Sequence, residues 1–311
     1  MRAVTFSQFG GPEVLEVRDL PEREPGPGQV RIRVAAATVN PTDIGFRSGR
    51  QSAQLSALEP PYIPGMELSG VVDAVGPGSQ WRPGDRVMAI VIPRRPEGGA
   101  MAESVVVPSG SVARLPEGAT LQAAATLPMN GLTVRLALDL LALKPGQTLA
   151  VTGAAGAVGA YAVELGVAEG LRVIAVASAG DEPLLKKMGA EAVVPRGDDA
   201  AAAIRKLVPD GVDAMIDAAV IGPPIMAAVR DGGAFAAVRG FAGEAEREIT
   251  VHLVQVSRYA ENQAALEQLG RLVSQGKLTL RVAETFPPER VAEAHRKLEA
   301  GGVRGRLVVV F

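Results

Sequence analysis

The chain has 311 residues, 47% of them hydrophobic and 21% charged, which suits two globular domains that each bury a core and excludes a low-complexity or disordered class. Its 32 Lys and Arg against 34 Asp and Glu leave a net charge of −2 with no basic block, which excludes nucleic acid as a partner. With no cysteine and only two histidines, His252 and His295, disulfides, thiolate metal sites, iron–sulfur clusters and a cysteine nucleophile are excluded as well. The opening MRAVTFSQFG lacks the apolar core of a signal peptide, and no apolar run reaches the ~18 residues of a membrane span. A cytoplasmic protein without membrane association is expected.

The first third reads as β structure. Strands are expected at Val30–Val39, Glu67–Val75, Asp85–Ile92 and Met101–Val107, separated by Gly/Pro turns at 25–28, 76–78 and 83–85. Such spacing suggests an all-β barrel or sandwich. Ser48–Pro61 has no clear period and reads as a loop or short helix.

From about Leu121 the pattern alternates. A helix at Leu132–Leu143 is followed by strand Leu149–Thr152, helix Val158–Ala168, strand Leu171–Ala177, helix Glu182–Met188 and strand Ala192–Pro195. Helix Asp198–Leu207, strand Val212–Ala218, helix Pro223–Arg230 and strand Ala234–Val238 continue it, with Ile249–Val256 as a further strand at an edge. This alternation predicts an α/β fold, a doubly wound parallel sheet with helices on both faces. The end changes again: helix Ala260–Gln275, strand Arg281–Phe286, helix Pro288–Leu298 and strand Gly305–Phe311 read as elements returning to the first domain.

The sharpest motif is LAVTGAAGAVG at 149–159, an apolar strand running through Gly153, Gly156 and Gly159 into a helix. Bare glycines let backbone N–H groups and a helix N-terminus approach a pyrophosphate, so Gly153, Ala155, Gly156, Ala157, Val158 and Gly159 are candidate dinucleotide contacts. Tight strand–helix turns also use glycine for packing. The position that selects between the two dinucleotides falls after the second strand, at Ser178, where no acid is present to hold a ribose diol or repel a 2′-phosphate. That favours NADPH, with Arg196 just past the third strand as the chosen phosphate partner over Lys186 and Lys187. Ala218 and Ala219 end the fourth strand, and Val238, Gly240 and Phe241 follow the fifth. Carboxyl ends of parallel strands face the ligand crevice, so these are cofactor candidates too.

Several separated segments then stop being anonymous: VNPTDIGFRSG (39–49), PYIPGMELSGVVDAVGPG (61–78), PGDRV (83–87), TLPMNGLTV (126–134), KKMGAEAVV (186–194), GVDAMIDAA (211–219) and FPPERVAEAHRKLEAGGVRGRLVVVF (286–311). In this order they resemble the medium-chain dehydrogenase/reductase superfamily, and within it the zinc-free NADPH:quinone oxidoreductase branch. The resemblance implies a GroES-like β-barrel catalytic domain at 1–121 and 265–311, a Rossmann NADP(H)-binding domain at 122–264, and a homodimer joined through Ile249–Val256. Zinc members of the superfamily carry Cys where this chain has Asn40, and His in a triplet that here reads Gly65-Met66-Glu67. Both zinc sites are therefore expected to be absent, with no metal cofactor.

The implied reaction passes a hydride from C4 of the nicotinamide to a small-molecule quinone or enone. Asn40 is the expected hydrogen-bond donor to the developing oxyanion. Asp43 is a helix cap or a site group, and Asn130 and Thr133 lie where family members approach the nicotinamide half. Relatives place a tyrosine where this chain reads Ile44-Gly45-Phe46, so Tyr62 substitutes as proton donor or serves packing, or the proton comes from water. Glu67 is expected to support the site. Arg47 either steers an anion or forms a surface salt bridge, His252 is a sheet residue and His295 a helix-surface residue. Two alternatives stay open: a 2-enoyl-thioester reductase, and a nucleotide-binding sensor or structural protein with little catalysis.

Overall fold

The computed structural model describes residues 1–50, 58–244 and 246–311. Half of the expected loop at 48–61, residues 51–57, thus lies outside the described residues. In chain order the elements are β1 (Arg2–Thr5), β2 (Glu16–Asp19), β3 (Gln29–Thr38), α1 (Pro41–Arg47), β4 (Glu67–Val75), β5 (Arg86–Ile90), β6 (Ser104–Pro108), β7 (Val112–Arg114), α2 (Leu121–Ala124) and α3 (Pro128–Leu141). They continue with β8 (Thr148–Thr152), α4 (Ala157–Ala168), β9 (Arg172–Ala177), α5 (Glu182–Lys187), β10 (Ala192–Pro195), α6 (Ala200–Leu207), β11 (Val212–Asp217), α7 (Pro223–Met226), β12 (Val229–Ala237) and β13 (Thr250–Leu253). Last come α8 (Gln263–Ser274), β14 (Val282–Phe286), α9 (Val291–Ala300) and β15 (Arg306–Val310).

These form two compact units, one of 1–129, 260–276 and 280–311, the other of 130–259 and 277–279. The sequence boundaries at 121/122 and 264/265 differ from these by 8 and 5 residues. In the first unit, β14, β15, β3, β4, β5 and β7 are hydrogen-bonded neighbours in that order, with β6 also on β3 and a separate β1–β2 ribbon. Strand β3 buries every second residue at Val30, Ile32 and Val34, the period-two signature of a strand with one face on a core. Leu68, Val72, Val87, Val107, Leu307 and Val309 complete that core. The last strand lies antiparallel to β3, Val308 opposite Thr38, so Arg306 and Thr38, 268 positions apart, become neighbours.

The second unit is a six-stranded sheet in the order β10–β9–β8–β11–β12–β13, parallel throughout. Its inner strands are buried on both faces, which explains their continuous apolar runs LAVT and VIAVA. Helix α4 is buried from Gly159 to Gly166 and correspondingly apolar on most of its circumference. One expected element is corrected. The helix at Pro223–Arg230 is a single turn, α7, because the chain enters β12 already at Val229. Gly232-Gly233 interrupts the apolar pattern of that strand and hides its first half from sequence reading.

Candidate active site

In the second unit the strand order reverses between β8 and β11, and such a switch point opens a crevice at the carboxyl ends of the strands. The glycine turn leaves β8 there, and each glycine has its own physical reason. Gly153 sits at φ +58°, in the left-handed region that side chains avoid. A Cβ on Gly159 would stand 2.2 Å from the Gly153 carbonyl oxygen, so only glycine lets the helix pack this close to the strand. Gly156 is different: a Cβ would meet only that same oxygen, at 3.1 Å. Gly156 is the N-cap of α4 and brings no side chain of its own to that helix end. The cap residue thus adds neither carboxylate nor hydroxyl where the helix dipole meets the crevice, which suits a pyrophosphate.

The other candidates of this unit gather along the same edge. Ser178 follows β9, and Pro195 of β10 pairs with Ala177, so Arg196, whose N–H donates to the Ala177 carbonyl at 2.8 Å, stands beside Ser178. Arg196 is exposed. The Lys186 ammonium donates to the Glu191 carbonyl at 2.5 Å. Val238, Gly240 and Phe241 follow β12, with Phe241 packed on Phe235 at 5.7 Å between ring centres. Asp217, which sequence reading missed, ties the two loops at the switch point together. It accepts from Thr152 Oγ1 at 2.5 Å and from the Gly222 N–H at 2.8 Å, while Thr152 Oγ1 accepts from the Ala219 N–H at 3.0 Å. Ala218 and Ala219 are held in this arch. A buried acid ending an apolar strand, VDAMID, was the available signal.

On α3, Asn130 and Thr133 are both buried, and neither atom of the Asn130 amide has a hydrogen-bond partner. An orphaned buried amide costs roughly 1–3 kcal/mol. It is offset only if something outside the protein supplies a donor and an acceptor, as a carboxamide does. Together with the glycine turn, this makes the residues present fit a nicotinamide dinucleotide.

The first unit carries a second polar cluster, built from residues remote in sequence. Arg306, buried in β15, donates to Thr38 Oγ1 at 2.6 Å, to Asn40 Oδ1 at 2.6 Å, and to the Glu67 carboxylate. Thr38 Oγ1 accepts a second hydrogen bond from Asn40 Nδ2 at 3.2 Å and donates to Glu67 Oε1 at 2.6 Å, which uses its full capacity. The other Glu67 oxygen accepts the Met129 N–H at 2.8 Å. Asn40 has no exposed surface, and it opens α1, where Asp43 reaches back to its N–H at 2.8 Å and also takes the Gly65 N–H at 2.8 Å. Burial pushes the Asp43 carboxyl up to about 6, against these two N–H bonds and the Arg306 charge. Arg306 was legible only as an arginine inside the apolar run GRLVVVF, which demands a buried anion; Glu67, heading β4, is that anion.

Tyr62 lies elsewhere, in an aromatic cluster. Its ring stacks on Phe9 at 6.2 Å and meets Phe6 and Phe46 at 5.4 and 5.8 Å, and its hydroxyl donates to the Leu58 carbonyl at 3.3 Å. Two expectations are corrected. Arg47 is buried and paired with Glu299 and the Gly10 carbonyl, so it is neither a surface bridge nor a free anion-steering group. His295 is buried rather than on the helix surface, because α9 turns this face onto α1. Burial, with the Arg47 charge adding to it, holds the His295 imidazole down to about 3, and both of its ring nitrogens lack partners.

The positions that resemble zinc ligands do not suit the metal. Asn40 is engaged by a guanidinium, and the Met66 thioether accepts from Thr42 Oγ1 at 2.9 Å. A resident cation against Glu67 opposes a second one. Among the described residues, no group of three or more His, Asp or Glu is placed to hold a metal ion.

Comparison with known proteins adds to this geometry. Residues 26–117 match the family "Alcohol dehydrogenase GroES-like domain", and residues 188–309 match "Zinc-binding dehydrogenase". The rat synaptic vesicle membrane protein VAT-1 homolog is 36% identical over 223 residues, 70% of this chain but 53% of its own length, so the match spans about half of that relative. Human quinone oxidoreductase is 29% identical, covering 100% of this chain and 98% of its own. The chloroplastic NADPH-dependent alkenal/one oxidoreductase of Arabidopsis thaliana is 30% identical over 99% of this chain and 79% of its own. Among solved structures, an NAD-dependent alcohol dehydrogenase superposes with a TM-score of 0.88 at 32% identity over the whole of both chains.

Proposed function

The chain belongs to the medium-chain dehydrogenase/reductase superfamily, and on that premise we propose that it is a zinc-independent, NADPH-dependent reductase of quinones or other α,β-unsaturated carbonyl compounds. The observation that carries the cofactor choice is the Arg196 N–H bond to the Ala177 carbonyl, which sets this cation next to Ser178, a position that carries no acid. The N–H groups of the turn Gly153–Gly159 hold the pyrophosphate, with Ala155, Ala157 and Val158 lining it. Arg196 pairs with the 2′-phosphate, a charge-assisted contact worth roughly 1.5–3 kcal/mol. Asn130, with Thr133 near it in sequence, offers its amide to the nicotinamide half; Ala218, Ala219, Val238, Gly240 and Phe241 border the cofactor with backbone groups.

When bound, the nicotinamide supplies a hydride to the electron-poor acceptor. In this reading Asn40, Asp43 and Tyr62 act as positioning groups. Asp43 holds the start of α1, the Arg306–Glu67 pair fixes Asn40, and Tyr62 braces the aromatic cluster. Water supplies the proton that completes reduction. The absence of cysteine throughout the sequence and the cation already against Glu67 support zinc independence. Strand β13 is the edge of its sheet and exposes Leu253, which supports a homodimer joined there.

The test is oxidation of NADPH and of NADH across quinones, alkyl enones and enoyl-thioesters, by the wild type and Arg196→Ala. The account expects quinones or enones to be reduced with NADPH favoured about tenfold or more, and the variant to lose that preference while keeping NADH turnover. Equal losses with both nucleotides would remove Arg196 from the site. Reduction confined to enoyl-thioesters would favour the second reductase class, and nucleotide binding without turnover would favour a sensor.

A further inference from the structure

The first unit also holds a cavity of about 580 Å³, lined by Leu20, Leu58, Ile63 and the Tyr62 of the aromatic cluster. Arg23 and Arg95 line it too. The Arg95 side chain is pinned by backbone alone: Nε donates to the Gly98 carbonyl at 3.1 Å and Nη2 to the Val106 carbonyl at 2.5 Å. Among the described residues, no carboxylate lies within 4.0 Å of either guanidinium. Other arginines of this unit are matched, Arg31 with Asp73 and Glu24, Arg47 with Glu299 and Arg306 with Glu67. Burial lowers the Arg95 guanidinium to about 10; the Arg23 charge adds to this, and Glu97, which also lines the cavity with Glu59, opposes it. A desolvated cation held by carbonyls, with no carboxylate in direct contact, is costly unless an anion completes it.

We infer that this cavity binds an amphiphilic carboxylate, its acid group on Arg95 and Arg23 and its apolar body against Leu20, Leu58, Tyr62 and Ile63. Carbonyl tethers fix the Arg95 fork, so a carboxylate meets donors already oriented, and the apolar wall takes a short hydrocarbon chain. The site is independent of the nucleotide proposal, since none of its residues belongs to the cofactor set.

The experiment is calorimetric titration of the nucleotide-free protein with octanoate, octanol and inorganic phosphate. Octanoate is expected to bind saturably, and octanol at least about tenfold more weakly. Arg95→Gln should reduce octanoate affinity about tenfold or more, and Glu97→Gln should raise it several-fold. Because Arg95→Gln also frees two carbonyls, Arg23→Gln at an exposed position is the independent variant, expected to weaken octanoate several-fold with Tm unchanged. Equal affinity for octanol and octanoate, or octanoate affinity indifferent to both arginine variants, overturns the inference. Displacement of octanoate by equimolar phosphate overturns the choice of a carboxylate.

Discussion

In the second unit the inner strands are apolar nearly end to end, and much of the charge sits in exposed pairs such as Arg172 with Glu191 or in groups at strand ends. The first unit instead buries Asp43, Glu67, Arg47, His295 and Arg306 together with its hydrophobic core. The difference is one of over-determination. A parallel sheet packed on both faces needs no internal charge, and its polarity collects at the carboxyl edge, where backbone groups are left for a ligand. A buried ion cluster is costly wherever one of its members loses its partner, and it makes that domain sensitive to pH. If this contrast is real, substitutions of buried charge should damage the first unit heavily, whereas substitutions at the second unit's edge should alter binding and leave stability alone.

The largest effect is expected at Arg306. Arg306→Met leaves Glu67 charged and buried and should cost about 3–5 kcal/mol in denaturant unfolding. The double variant with Glu67→Gln should recover much of that, because the uncompensated ion is gone. A single-variant loss below about 1 kcal/mol would show that the pair is not holding the fold.

Next comes pH. Asp43 titrates in the fold near 6 against an ordinary 3.8, so its neutral form is the one the native state favours. Its contribution is fully present below about 3.8 and is lost as pH rises through 6. Measured against Asp43→Asn, the wild type should lose up to about 3 kcal/mol of relative stability between pH 4 and 7. His295 works in the opposite direction: with a folded value of about 3 against 6.5, its contribution is present above 6.5 and is lost as pH falls. His295→Leu, which also removes two unpartnered ring nitrogens, should match or exceed wild-type stability at pH 7. It should gain on the wild type by up to about 1.4 kcal/mol per pH unit below 6. Parallel curves for the variants and the wild type would contradict both assignments.

How much of this could be read from residues follows the same division. Strands β4 and β10 lie at the expected bounds, and the alternation of strand and helix from 148 to 237 was visible because periodicity is local. The glycine turn was legible for the same reason: its strand, turn and helix are consecutive. The network of Thr38, Asn40, Glu67 and Arg306 was not, since its members converge only when the last strand pairs with β3. The β1–β2 ribbon escaped notice because ten residues separate two four-residue strands of unremarkable composition. Arg47 and His295 were misplaced for a further reason. Polar residues in short amphipathic helices read as surface until a second helix covers them, as α9 and α1 cover each other.

The smallest effect on stability, and the sharpest on binding, belongs to Gly156, in contrast to its neighbour Gly159. Gly159→Ala should destabilise, since its Cβ has no room beside the Gly153 carbonyl. The decisive measurement is calorimetric titration of NADPH into the wild type and into Gly156→Asp, whose Cβ meets only the Gly153 carbonyl oxygen, at 3.1 Å, and which sets a carboxylate at the N-terminus of α4. The account predicts loss of NADPH binding with a Tm within a few degrees of the wild type; undiminished affinity in a folded variant would contradict it.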